Sequence, residues 1–385
     1  MKSLELRKFV APEFIFGVGA RELTNQYAQN FSARKALVVT DPGVIDAGWT
    51  ADVTASLEDA HIPFIIFDQV SPNPRAEEVM AGAELYQSQN CDVIVAVGGG
   101  SPMDCAKGIG IVSTNKYHIL EFEGIDQISS PIPPLICIPT TGGTAAEVSQ
   151  FAIITNRQDR IKIAIISKAV IPDVALIDPL TLITMDPFLT ACTGIDAMVH
   201  AIEAYVSNAQ SSVTDLHALE AIRLVKGYLL NCITNLDDVD ARGKLMLASL
   251  EAGLAFSNAS LGAVHAMAHS LGGLLDLPHG QCNAVLLQHV VAFNHAATPE
   301  RFAHVGDALG LNLGGMTTRQ QKTAVITEIN RLREEVGVYH TLSQMGVSRS
   351  DIPQLAKNAL NDACMVTNPR RPNQRDIEVV YEEAL

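Results

Sequence analysis

The chain has no apolar run approaching the roughly 18 residues that a membrane-spanning helix needs, and it has no low-complexity tract. With 48% hydrophobic and 18% charged residues, these absences exclude a membrane-embedded or disordered protein and leave a soluble globular one. Basic charge is scarce: 27 Lys and Arg face 42 Asp and Glu, for a net charge of −15. Nucleic acids and anionic membrane surfaces are held through basic patches, so neither is an expected partner. CxxC spacing is missing as well. The seven cysteines (91, 105, 137, 192, 232, 282 and 364) are odd in number and scattered, which speaks against a disulfide framework or thiolate metal motif and for reduced thiols. The opening, MKSLELRKFVAPEF, lacks the apolar core of a secretory signal, which makes the cytoplasm the expected compartment. No internal repeat is visible.

At 385 residues the chain exceeds what one hydrophobic core usually supports, so two domains are expected. The first half alternates short apolar runs at 35–40, 63–67, 92–97, 135–138 and 174–177 with amphipathic segments such as 50–60 and 76–87. Continuous apolar runs of four to six residues are what strands buried on both faces look like, which predicts a parallel sheet covered by helices. Ligands of such a sheet bind at the strands' carboxyl ends. From about Pro187 the strand signal vanishes and helical patterns dominate, among them 214–230 and 241–256. Asp186-Pro187 is a turn signal between the two regimes, giving domains 1–186 and 187–385.

The predicted strand ends carry what a nucleotide requires. Gly98-Gly99-Gly100-Ser101 follows one of them; glycines let a backbone approach a pyrophosphate, and Pro102 can start a helix whose N-terminus favours anions. Pro139-Thr140-Thr141-Gly142-Gly143-Thr144 follows another and opens a predicted helix containing Glu147. A Gly-rich turn without a ligand is the alternative for either loop alone. Asp41 closes the first strand before Pro42-Gly43, where a carboxylate can accept from ribose hydroxyls and would repel a 2′-phosphate, favouring NAD over NADP; local sequence alone reads equally as a simple Asp-Pro-Gly turn, so Asp41 gains weight only beside the two loops. Gly17-Val18-Gly19 lacks dinucleotide spacing and reads as a strand-to-helix turn.

The second half concentrates ligand-type residues. Asp196 and His200 are four apart on a predicted helix and share a face, as do His265 and His269 on a second helix that Gly272-Gly273 should end. Pro278-His279-Gly280 puts another imidazole in a constrained loop. One carboxylate with several neutral imidazoles is a divalent-metal set suited to iron, zinc or copper. Any one of these histidines alone reads as a hydrogen-bonded core or surface residue. The spacing nominates His265 and His269 equally.

The long motifs VTDPG, VGGGSPMDCAK, PTTGGTAAEVS, TGIDAMVHAIEAY, GAVHAMAHSLGG, PHG and NPR resemble the iron-containing (group III) alcohol dehydrogenases over essentially the whole chain. The resemblance implies a Rossmann-like, dehydroquinate synthase-like α/β domain followed by an all-α domain. It implies Asp196, His200, His265 and His279 as ligands of a divalent metal, usually Fe(II) with Zn(II) possible, and His269 beside the reacting carbon without ligating. Its NAD site falls on Asp41, Asn73, Gly98, Gly99, Gly100, Ser101, Asp104, Thr140, Thr141, Thr144, Ser149, Lys162 and Leu180, and its substrate pocket is flanked by Phe256 and Cys364. Phe151 stands where lactaldehyde reductase-like members have a polar residue, which predicts short unbranched primary alcohols over vicinal diols. Two departures are visible: TTGGTAAEVS replaces the commoner TTAGTGSEVT, and AHSLGG replaces AHPLG. Hydride transfer between an alcohol or aldehyde and NAD(H) is thus expected, in a homodimer or larger homo-oligomer, with His269 relaying a proton or only orienting substrate. A zinc-dependent glycerol-type polyol dehydrogenase, a lyase of the dehydroquinate synthase kind and a silent NAD- and metal-binding sensor are the alternatives. The lyase would need basic residues for a multiply anionic substrate, and they are sparse here.

Overall fold

The computed structural model describes residues 6–385; Met1 to Glu5, the start of the segment read for a signal, lie outside the described residues. The strands among them are β1 (Glu13–Phe16), β2 (Ala36–Val39), β3 (Phe64–Phe67), β4 (Val93–Gly98), β5 (Gly124–Ile125), β6 (Leu135–Pro139), β7 (Phe151–Asn156), β8 (Ile161–Ile166) and β9 (Val174–Ile177). The first helices are α1 (Thr24–Asn30), α2 (Pro42–Asp46), α3 (Trp49–Asp59), α4 (Ala76–Ser88) and α5 (Gly100–Asn115). The remainder are α6 (Pro187–Val206), α7 (Ser212–Thr234), α8 (Val239–Ala259), α9 (Ala263–Leu275), α10 (His279–Asn294), α11 (Pro299–Ala308), α12 (Thr318–Glu335), α13 (Ile352–Asn361) and α14 (Gln374–Ala384). An α/β half and a helical half follow one another, as the apolar runs predict.

All five predicted strands lie in one six-stranded parallel sheet of order β1-β9-β6-β4-β2-β3. Four of them, β2, β4, β6 and β9, are buried along their whole length, which is why their sequences carry no charged or strongly polar side chain. From β2 the chain winds outward to β3, whereas from β4 it winds the other way through β6 to β9. The carboxyl ends of β2 and β4 therefore flank the crevice at which such a sheet takes its ligand. Missed by periodicity were the edge strand β1, three of whose four side chains are exposed, and the antiparallel hairpin β7–β8, to which β5 adds in parallel.

Three helical expectations are corrected. First, α9 does not stop at Gly272-Gly273 but runs to Leu275, and Asp276 in the left-handed region ends it. The glycines serve contact: a Cβ at Gly273 would meet Ile161 Cα at 2.7 Å, and one at Gly272 would meet Lys162 Cε at 2.7 Å. Second, His279 is the first residue of α10 rather than part of a loop, with Pro278 as its N-cap. Third, the loop after β6 opens only a three-residue 3-10 turn, Ala146–Val148. The Asp186-Pro187 signal is an N-cap: Asp186 accepts from Leu189 N and Pro187 is the first residue of α6. Gly17 to Gly19 joins β1 to a 3-10 turn at Ala20.

Helices α6, α7 and α8 form the centre of the helical half, whose core is continuous with Val148, Phe151 and Ile177 of the sheet half. α6 is buried on every side from Thr190 to Val206, because its Ala-rich sequence lets neighbours approach; a Cβ at Gly194 would meet Leu229 Cδ1 at 2.3 Å. All seven cysteines are buried and unpaired. Among the described residues, no helix is long and apolar enough to cross a membrane.

Candidate active site

Two cavities meet where the carboxyl ends of β2, β4 and β6 face α6, α9 and α10. The outer one, about 630 Å³, is lined by Asp41, Gly99, Ser101, Thr140 and Thr141 among others. The glycine loop and the threonine loop touch so closely that a Cβ at Gly99 would meet Thr141 Cγ2 at 3.0 Å, and one at Gly100 would meet Thr144 Cγ2 at 3.1 Å. Gly98 needs glycine doubly, with φ of +153° and Pro102 Cγ 2.5 Å from a would-be Cβ. The first turn of α5 thus presents bare backbone N–H groups to the cavity, a ready anion site. Thr141 Oγ1 is buried without a partner. Asp41 accepts from Val44 N at 3.0 Å as the N-cap of α2 and still lines the cavity.

Gly100, Ser101 and Thr144 also line the inner cavity, about 150 Å³, so the two are contiguous. Here stand Asn73, Asp104, Ser149, Lys162, Phe151 and Phe256 with all four histidines singled out above and Asp196. Lys162 Nζ donates to Asn73 Oδ1 at 2.6 Å, while Asn73 Nδ2 donates to Asp276 Oδ1 at 2.8 Å. That chain ties the glycine-paired end of α9 to β8. Burial pushes the Asp104 carboxyl up to about 6, against the pull of Lys107 and of the Ile153 N–H. Leu180 is not brought to either cavity: it is partly buried against the sheet core, and its N–H caps onto Asp178 at 3.1 Å.

At the inner end Asp196 Oδ1 lies 3.8 Å from His265 Nε2 and 3.8 Å from His279 Nε2. These three can offer one ligand atom each within 4.8 Å of one another. His200 stands just outside that triad, its Nδ1 3.9 Å from Asp196 Oδ2 and its ring stacked on His265 at 4.4 Å. The group around the point of convergence suits a cation. Asn283 Nδ2, an uncharged donor, sits 2.6 Å from Asp196 Oδ1, 3.2 Å from His265 Nε2 and 3.1 Å from His279 Nε2. Burial pushes His200 down to about 4 and His265 to about 3, and puts His279 well below its usual range. All three imidazoles are therefore neutral lone-pair donors at neutral pH, beside a carboxylate, which is the donor chemistry a divalent ion requires. The Nδ1 atoms of His200 and His279 are buried without partners.

What each Nδ1 touches separates the two histidines that spacing could not. His265 Nδ1 pairs with Glu203 Oε2 at 2.7 Å, which turns Nε2 toward Asp196. The same carboxylate caps α9, accepting from Val264 N at 2.6 Å and Gly262 N at 3.1 Å, and burial pushes it up to about 7. His269 Nδ1 instead pairs with Asp362 Oδ2 at 2.8 Å. Burial alone would raise Asp362, but His269 and the Cys364 N–H hold it below its ordinary value. Cys364 does not line the inner cavity; it is fully buried behind the His269–Asp362 pair, bound through its own N–H at 2.8 Å.

Phe151 does line the cavity, 5.7 Å from Phe256, whose ring stacks on His200 at 4.4 Å. Its position is set by Lys107, a residue the motif reading passed over. Fully buried, Lys107 donates from Nζ to Ser149 O at 3.0 Å, Ser149 Oγ at 3.1 Å and Phe151 O at 2.7 Å. The signal available was a lone Lys inside the apolar stretch CAKGIGIV. For Glu203, three residues after His200, and Asn283, four after His279, helical spacing was a signal. For Asp362 there was none.

Residues 11–179 match the family model described as iron-containing alcohol dehydrogenase, and residues 190–385 the model described as Fe-containing alcohol dehydrogenase family, C-terminal. The chain is 41% identical to 1,3-propanediol dehydrogenase of Klebsiella pneumoniae over 371 residues, covering 96% of each chain. It is 37% identical to NAD-dependent methanol dehydrogenase of Bacillus methanolicus, covering 98% of this chain and 99% of that one. The fold superposes on a crystal structure of 1,3-propanediol oxidoreductase with a TM-score of 0.96 at 40% identity, covering 99% of this chain and 100% of the other.

Proposed function

Because the chain belongs to the iron-containing alcohol dehydrogenase family, we propose that it moves hydride between a short primary alcohol, or its aldehyde, and NAD(H) at the inner cavity. The observation that carries this reading is the convergence of Asp196, His265 and His279 on one buried point at the end of the cleft that three strand-end loops build. Asp196, His200, His265 and His279 would hold the divalent metal, and the cleft from Asp41 to Lys162 the dinucleotide. When bound, a divalent ion supplies Lewis acidity that makes an alcohol easier to deprotonate, and NAD supplies the hydride acceptor. Iron is the ion the family description names; with no thiolate in the ligand set softness does not force zinc, but zinc stands higher in the divalent series and is a competitor.

The protein's own part is binding, orientation and proton handling. The N–H groups of the first turn of α5 take the pyrophosphate, and the Asp41 carboxylate takes the ribose hydroxyls. Phe151 and Phe256 wall the cavity against water and offer no partner to a second hydroxyl. His269 lines this cavity and also a neighbouring one of about 310 Å³ beside Asn358, Asn361 and Asp362. With Nδ1 held by Asp362, Nε2 is the atom left to take a proton from the reaction side, and the second cavity is the way out for it. The dinucleotide-binding part is assigned to residues 1–186 and the helical part to 187–385. Buried free thiols fit a reducing cytoplasm, and the edge strand β1, with Phe14 39% and Phe16 38% exposed, offers apolar surface that a second copy would cover. NADH formation across a panel of alcohols, with anaerobically loaded Fe(II), tests the reading: turnover of short primary alcohols supports it, and binding of NAD without any turnover favours the sensor alternative.

A further inference from the structure

About 310 Å³ of cavity lies between α10, the last turn of α12 and the loop that follows it, lined by Gln288, His289, Asn330, Arg333 and His340 and apart from the cleft residues described above. Arg333 is 5% exposed, and its guanidinium has no hydrogen-bond or ion-pair partner among the described residues. An unpaired buried cation is among the more costly features a fold can carry. Burial lowers Arg333 to about 10, so it keeps its charge at neutral pH. Two more buried polar atoms in the same wall are unpartnered, His340 Nδ1 and Asn330 Oδ1. His289 Nε2 accepts from Gln288 Nε2 at 3.0 Å, and burial, then Arg333, pushes that imidazole down to about 4 and keeps it neutral. The carboxylates at the rim, Glu334 and Glu383, are exposed; Glu334 draws the Arg333 pKa part of the way back up, but neither carboxylate forms an ion pair with the guanidinium.

We propose that this cavity binds a small oxyanion, phosphate or carboxylate, on the Arg333 guanidinium with His340 and the Asn330 amide as further donors. Guanidinium geometry matches a two-oxygen acceptor, the amide can turn its NH2 inward because its oxygen has no partner to lose, and the imidazole supplies an N–H from either nitrogen by choice of tautomer. The site is distinct from the dinucleotide cleft, whose anion-binding elements are the backbone N–H groups of α5.

Inorganic phosphate is the probe, titrated at constant ionic strength onto protein saturated with NADH, so that the cleft is filled, with acetate as the carboxylate arm. Binding is read by calorimetry and by the rise in melting temperature that a native-state ligand produces. The expected result is saturable binding that survives NADH, weakens by about tenfold or more in Arg333→Gln, and weakens several-fold in His340→Ala, which removes a half-buried side chain and keeps the test open should the arginine variant fold poorly. Absence of binding, binding abolished by NADH, or binding unchanged in both variants overturns the proposal. So does a change of oligomeric state in Arg333→Gln with no phosphate response in the wild type, which would assign the cavity to a carboxylate of a second copy.

Discussion

Replacing the glycines of α9 by alanine separates two kinds of close contact. In an exposed helix interior Gly→Ala is worth roughly 1 kcal/mol in favour of the fold. Gly227 of α7 has nothing within 4 Å of a would-be Cβ, so Gly227→Ala should show that gain. At Gly273 the new methyl would lie 2.7 Å from Ile161 Cα, 2.8 Å from Ile161 C and 2.8 Å from Lys162 N, all backbone atoms of β8. Strand and helix must part, at an overpacking cost of about 1–3 kcal/mol or more, which cancels or exceeds the helical gain. At Gly272 the methyl would meet the Lys162 side chain, Cε at 2.7 Å and Nζ at 2.9 Å, and the lysine can yield only by leaving Asn73. We therefore expect Gly273→Ala to melt roughly 1–4 °C below Gly227→Ala, and Gly272→Ala to fold normally with KM for NAD raised several-fold. Differential scanning calorimetry and steady-state kinetics check both. A Gly273→Ala protein as stable as Gly227→Ala, or a Gly272→Ala protein with unaltered kinetics, refutes the claim that these glycines exist for contact with β8.

Three further outcomes follow from single contacts. Asp41→Gly should raise NADP use by on the order of tenfold, the size of a like-charge repulsion of about 1–2 kcal/mol in a solvated cleft; unchanged NADP kinetics would remove Asp41 from cofactor selection. Phe151→Asn should narrow the preference for 1-propanol over 1,2-propanediol by roughly tenfold, since an unpartnered buried hydroxyl costs about 1–3 kcal/mol; a kcat/KM ratio equal to wild type rejects that pocket wall. Glu328 joins Lys226 of α7 at 2.9 Å and Arg331 at 2.6 Å, and the hydrogen bond from Arg331 leads the effects that hold it at about 2, below the ordinary 4.5. A depressed carboxyl stabilises the fold above pH 4.5 and loses that contribution as pH falls toward 2, here about 1 kcal/mol after allowance for solvent. Glu328→Gln should accordingly flatten the fall in stability between pH 5 and 3 seen by urea unfolding.

Legibility in the sequence tracked burial. Strands sandwiched between helices, such as β4 and β6, are apolar throughout and announce themselves, whereas β1 at the sheet edge mixes Glu13 with exposed phenylalanines and has no pattern to detect. Local chemistry also misled where a distant partner decided the outcome. Gly272-Gly273 reads as a helix stop, yet β8, more than a hundred residues earlier, makes the pair a contact surface and the helix continues. The strand-end loops and the Asp and His cluster were visible because ligand-type residues stood at helical spacing or after apolar runs. Distinct roles for His265 and His269 were not, because their Nδ1 partners, Glu203 and Asp362, are brought in by α6 and by the turn after α13. Nothing within α9 distinguishes one imidazole from the other.

Asp196, His200, His265 and His279 are proposed to hold one ion, and metal analysis of anaerobically purified protein addresses that directly. Wild type should carry about one divalent metal per chain and form NADH from a primary alcohol, and His279→Ala, which removes one corner of the Asp196–His265–His279 triad, should lose most of both. Full metal occupancy with normal turnover in His279→Ala would contradict the assignment.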